Sequence, residues 1–139
     1  MDAIALTDHG NLYGAVEFYK AAKKCGVKPI FGLEAYIAPY GRLQKRAKID
    51  DARYHLTLLA KNNTGWRNLI QLVTKSNLEG FYYKPRIDKE LLAEHREGLI
   101  CLSGCPSSEL SKLIAAKKMA EAETLVRWYQ EMFLDDFYL

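Results

Sequence analysis

The sequence predicts an α/β domain built on parallel strands, and two patterns carry that prediction. Short apolar runs near residues 2–7, 29–38, 54–60 and 98–103 alternate with amphipathic stretches at 13–25, 64–78 and 119–134. Strands separated by helices pair in parallel, and the crossovers cover the sheet. Most of the runs also end in clusters of Gly, Asn, Asp and Ser, where a chain leaves a strand and a helix begins.

Ala3-Ile4-Ala5-Leu6-Thr7 reads as a buried strand that stops at the turn formers Asp8-His9-Gly10-Asn11. In the first amphipathic stretch Ala15, Val16, Phe18, Tyr19 and Ala22 recur at helical spacing among lysines, and Gly26 is the expected C-terminal stop. Pro29 to Ala38 is a second strand, interrupted by Glu34. Residues 40–53 carry five basic residues without an apolar period and read as a solvated loop before the third strand. Asn62, Asn63 and Thr64 offer caps for a helix carrying Trp66, Leu69, Ile70, Leu72 and Val73. An irregular aromatic and basic stretch from Phe81 to Arg86 precedes Asp88, which caps a short helix ending near His95, a solvated residue on this view. Gly98 to Ser103 is a fourth strand, and Ser107 or Ser108 caps the helix after it. The last helix puts Leu125, Trp128, Tyr129 and Met132 on one face, and Phe137-Tyr138-Leu139 starts another strand.

With 139 residues, 49% apolar and 27% charged, the chain is long enough for one domain with a core and too apolar for disorder. Lys and Arg number 20 against 17 Asp and Glu, and a net charge of +3 does not by itself mark a nucleic-acid binder. No membrane span or signal-peptide layout is visible, so a cytoplasmic location is expected. Cys25, Cys101 and Cys105 are odd in number and make no CxxC spacing, which fits a reduced compartment better than a disulfide framework. No internal repeat or linker divides the chain. Met1 stands at the lip of a strand and Leu139 ends an apolar run, so the sequence is expected to be a piece of something longer.

Ligands in parallel α/β folds gather where strands end. Asp8, His9 and Cys105 fall at such places, His55 opens the third strand, and Glu34 sits among apolar neighbours where a bare carboxylate is costly. Imidazole, carboxylate and thiolate are donors that zinc or manganese accept. Each also has a plainer use: Asp8 as a turn cap, Glu34 paired with a lysine, the cysteines as small apolar residues. Arg42, Lys45 and Arg46 in the basic loop, with Lys84 and Arg86 beside Tyr82 and Tyr83, are candidates for nucleic-acid contact; a solvated face and packed tyrosines are the alternatives. There is no P-loop, no GxGxxG and no GxSxG.

Several segments carry a resemblance. Ala5 to Tyr19, with Thr7-Asp8-His9-Gly10-Asn11 inside it, Lys28 to Tyr36, His55 to Asn62, Glu79 to Asp88 and Gly98 to Cys105 together resemble the polymerase and histidinol phosphatase (PHP) domains of bacterial DNA polymerase III alpha subunits, in order and over nearly the whole chain. The resemblance implies a distorted seven-stranded β/α barrel holding metal ions at its strand ends. It implies a 3′–5′ exonuclease where the ligand set is whole, and structural support of the polymerase elsewhere. By the same resemblance His9, Glu34, His55 and Cys105 are metal ligands for zinc, manganese or magnesium, and Asp8 is a neighbour behind them. The family's opening His-x-His strand and closing Asp-x-His would lie outside Met1–Leu139, leaving an incomplete barrel, an incomplete site and no catalytic residue expected to work in isolation. Implied partners are the rest of the polymerase subunit, DNA through that parent, and a second copy at the open barrel, with no membrane. Polymerase carboxylates belong to a different domain. A stand-alone histidinol-phosphatase-like phosphoesterase and a noncatalytic docking module are the competing expectations.

Overall fold

Alternating apolar residues on the strands give the sheet two unlike faces, and that division positions everything else. The computed structural model describes residues 1–139. Its elements run β1 (Ala3–His9), α1 (Ala15–Lys24), β2 (Lys28–Ile37), β3 (Tyr54–Ala60), α2 (Asn63–Leu78), β4 (Arg86–Ile87), α3 (Lys89–Glu94), β5 (Leu99–Leu102), α4 (Glu109–Ala115), α5 (Met119–Phe133) and β6 (Phe137–Tyr138). One sheet takes the order β1-β2-β3-β5-β6, and β4 adds to β2. No helix is long and apolar enough to cross a membrane.

Leu33, Ala35 and Ile37 of β2, Leu56 and Leu58 of β3, and Leu99 and Cys101 of β5 form one core with Leu69 and Leu72 of α2, Leu91 and Leu92 of α3, and Leu125, Tyr129 and Phe133 of α5. Phe18 of α1 meets Phe31 edge-on on the same side. Because side chains alternate along a strand, Gly32, Glu34 and Tyr36 of β2 and His55 and Thr57 of β3 turn to the opposite face. Helix starts follow the capping chemistry of the sequence. Asn62 accepts from the Gly65 amide at 3.0 Å, Asp88 from Leu91 at 3.0 Å and Ser108 from Ser111 at 3.2 Å.

The α/β class holds, but the strands are not all parallel. β1–β2, β2–β4 and β5–β6 are parallel, whereas β3 runs antiparallel to both β2 and β5. The reason lies in the connection. Residues 38–53 contain no helix, and a return without a crossover brings the next strand back beside its predecessor in the opposite direction.

That connection is the expected solvated loop over residues 43–49, which are all exposed, but it is anchored from within. Arg86 is 1% exposed, and its guanidinium donates to the carbonyls of Gly80 at 3.0 Å, Asp50 at 2.8 Å, Arg42 at 3.1 Å and Gln44 at 2.9 Å. Burial lowers its pKa, yet an arginine stays charged. Buried Asp50 accepts from the Arg46 amide at 2.7 Å and its Nε at 2.9 Å. The loop is wrapped around a buried cation. His95 likewise departs from expectation: it ends α3 half-buried, and its Nε2 is buried without a hydrogen-bond partner.

Candidate metal centre

Strand register assembles the site. His9, the last residue of β1, pairs with Glu34 on β2, and one step along the next ladder Tyr36 pairs with His55 on β3. Paired residues share a face, so His9, Glu34, Tyr36 and His55 point away from the helix core together. The chain turns out of β1 at Gly10, whose φ is +68° and whose missing Cβ leaves room for Pro85 and Tyr36. Cys105 arrives from the turn after β5. Gly104, at φ +92°, brings that turn against the His55 carbonyl, and the Ser107 carbonyl accepts from the His55 amide at 3.2 Å.

Glu34 is the hub. Its Oε2 lies 2.8 Å from His9 Nε2 and its Oε1 lies 2.7 Å from His55 Nδ1. Cys105 Sγ sits 3.4 Å from His55 Nδ1 and 4.0 Å from Glu34 Oε1, and it receives the Ser107 N–H at 3.4 Å. One ligand atom each from Glu34, His55 and Cys105 falls within 4.8 Å of the others, a group able to hold a metal ion. His9 joins through Glu34 from the rim, its side chain 62% exposed against 17% for Glu34. Glu34 has no lysine or arginine partner; both carboxylate oxygens face imidazoles. A half-buried carboxylate between two imidazoles and a thiol fits a divalent cation by donor chemistry.

The other candidates fall elsewhere. Asp8 turns to the helix face and accepts from the Gly14 amide at 3.0 Å, which ties down the loop after His9. The nucleic-acid candidates divide. Arg86 is buried among carbonyls. Arg42, its side chain 12% exposed, donates to Asp88 at 3.0 Å and Glu79 at 2.8 Å. Burial opposes the Arg42 charge, and Glu79 and Asp88 more than offset it, so its pKa rises. Both are structural. Arg46 is paired with Asp50, while Lys45 and Lys84 are exposed. Cys101 is buried in the core, which pushes its thiol far up.

Two neighbours of the cluster escaped the sequence reading. The Tyr36 ring stands edge-on to His55, centroids 5.3 Å apart, and 6.5 Å from His9. Arg53 lies over the Tyr36 ring itself, its Cζ 5.8 Å from the centroid. The spacing Glu34-x-Tyr36 and Arg53-x-His55 was the available signal, since residues two apart on a strand share a face. An open cleft of about 670 Å³ between α1 and α2 is lined by Val16, Tyr19, Phe31 and Trp66 and contains none of the cluster.

A sheet with helices on one face and a histidine, carboxylate and thiol cluster on the other defines an α/β domain with a candidate metal site. The chain belongs to the PHP domain family, whose model matches residues 1–139. It is 51% identical over 140 residues to DNA polymerase III subunit alpha of Borreliella burgdorferi, covering 100% of this chain and 12% of that protein. It is 54% identical to the Chlamydia pneumoniae subunit and 51% identical to that of Thermus aquaticus, covering 98% and 99% of this chain and 11% of each. The chain thus spans 11–12% of the length of these relatives and matches their PHP region.

Proposed function

We propose that this chain is the PHP segment of a bacterial replicative polymerase subunit, part of a β/α barrel wall, and that His9, Glu34, His55 and Cys105 hold a divalent metal. One observation carries this: Glu34 spans two imidazoles, with the Cys105 sulfur against one of them. The sulfur favours zinc, while the imidazoles and carboxylate also accept manganese. A bound ion would polarise a phosphoryl oxygen. Glu34 orients both rings, Cys105 is fixed by the Ser107 amide, and Asp8 holds the loop that follows His9. The activity served is 3′–5′ exonuclease action on DNA or support of the polymerase, through the parent protein. β1 lies at the sheet edge with Ile4 exposed, which supports self-association of the isolated chain.

Calorimetric titration of the chain with zinc chloride tests the assignment. One zinc per chain is expected, with affinity falling about tenfold or more in Glu34→Gln and Cys105→Ser. An absent site, or variants that bind as the parent does, would overturn it. The isolated chain is expected to hydrolyse neither single-stranded DNA nor a generic phosphoester in zinc or manganese. Turnover that His9→Ala abolishes would refute that part.

A further inference from the structure

The guanidinium groups around the 38–53 connection are spoken for, with one exception. Arg42 is held by Asp88 and Glu79, Arg46 by Asp50, and Arg86 by four carbonyls. Arg53 forms no ion pair and makes a single hydrogen bond, from its Nη1 to the Asp51 carbonyl at 3.1 Å. It is half-buried, and its guanidinium packs over Tyr36, the ring that touches both His55 and His9. Arg53 also precedes His55 by two residues, so strand alternation continues its direction from Thr57 and His55 toward the cluster face.

We infer that Arg53 is the anion clamp of this centre, holding a backbone phosphate of single-stranded nucleic acid beside the Glu34–His55–Cys105 cluster. The inference rests on the metal assignment above and adds a residue that recognises substrate. A guanidinium lying over an aromatic ring keeps its donor edge free for two parallel bonds to a phosphate, a geometry that lysine does not reproduce. Four of its five N–H donors have no protein acceptor. Single strands rather than duplex fit because the segment that packs against Gly10, beside His9, carries an exposed aromatic ring. Tyr82 and Tyr83 lie 4.6 Å apart next to Pro85, which packs against Gly10, and Tyr83 is exposed. Unpaired bases stack on such rings, and paired ones do not.

Fluorescence anisotropy of a labelled oligothymidylate, over a series of sodium chloride concentrations, tests this on the chain with zinc and again with chelator. Arg53→Gln is expected to weaken binding about tenfold and to flatten the slope of log affinity against log salt by about 0.7, the loss of one single-strand phosphate contact. Arg53→Lys should keep the slope and still lose several-fold in affinity. Lys23→Gln on α1 removes the same charge far from the cluster and should change little. Zinc affinity should be equal in all four proteins. No oligonucleotide binding by the parent chain, equal affinity and slope in Arg53→Gln, or an equal loss in Lys23→Gln would each overturn the clamp. Failure of zinc to bind would instead sink the metal assignment, and the comparison with chelator would still decide the role of Arg53.

Discussion

Replacing Arg86 removes the cation around which residues 40–53 are wrapped. In Arg86→Ala the carbonyls of Gly80, Asp50, Arg42 and Gln44 all lose their donor. A hydrogen bond to a charged group contributes about 1.5–3 kcal/mol, and an orphaned buried acceptor costs about 1 kcal/mol or more. The carbonyls of Arg42, Gln44 and Asp50 can regain water if the connection lifts, so the contributions do not add in full. A loss of about 3 kcal/mol is expected, a large share of the roughly 5–15 kcal/mol of an ordinary domain. Arg86→Lys keeps the charge but reaches fewer of the four carbonyls from one nitrogen, and should cost about 1–2 kcal/mol. Urea unfolding followed by circular dichroism gives the total. Native-state hydrogen exchange places it: amides of 40–53 should lose protection well before that of Leu58 in the core. A change under about 0.5 kcal/mol, or uniform loss of protection across the sheet, would refute the idea that Arg86 organises this connection.

Two further outcomes concern pH and one concerns packing. Hydrogen bonds from Arg46 hold the Asp50 pKa below its ordinary value, so its contribution is present above about pH 4 and is lost as pH falls through the folded value. The melting-temperature gap between parent and Asp50→Asn should therefore be steady above pH 5 and shrink in stronger acid; a constant gap down to pH 2 would contradict this. Burial, then Lys75, lowers the His95 pKa below 6.5, so the unfolded chain takes up the proton first and stability falls as pH drops below about 6.5. His95→Gln should remove that part of the pH dependence, and identical stability profiles for the two proteins would contradict it. A Cβ at Gly65 would collide with the Gly98 backbone, so Gly65→Ala should destabilise by about 2–3 kcal/mol in urea, and a neutral result would show that the α2–β5 contact can shift.

Strands, helices and caps were legible because their signals are local: period-two runs, helical spacing, and Asn62, Asp88 and Ser108 at helix starts. The direction of β3 was not, because residues 38–53 read as a loop, and only the missing crossover helix hinted at an antiparallel return. Arg86 was misread for a physical reason. Arginine is nearly always at the surface, and nothing in Tyr-Tyr-Lys-Pro-Arg announces four carbonyls converging from residues 42–50 and Gly80. Glu34 announced itself as a charge inside an apolar strand, and His9, His55 and Cys105 as donors at strand ends. Tyr36 and Arg53 needed the β2–β3 register before their closeness to His55 could be seen.

The metal assignment is tested most directly by X-ray absorption at the zinc edge on the zinc-loaded chain. One sulfur scatterer at about 2.3 Å is expected, with nitrogen and oxygen at about 2.0–2.2 Å. In Cys105→Ser the sulfur shell should vanish while the nitrogen and oxygen shell remains. A spectrum without sulfur in the parent chain, or a sulfur shell that persists in Cys105→Ser and so comes from Cys25 or Cys101, would contradict a centre built from His9, Glu34, His55 and Cys105.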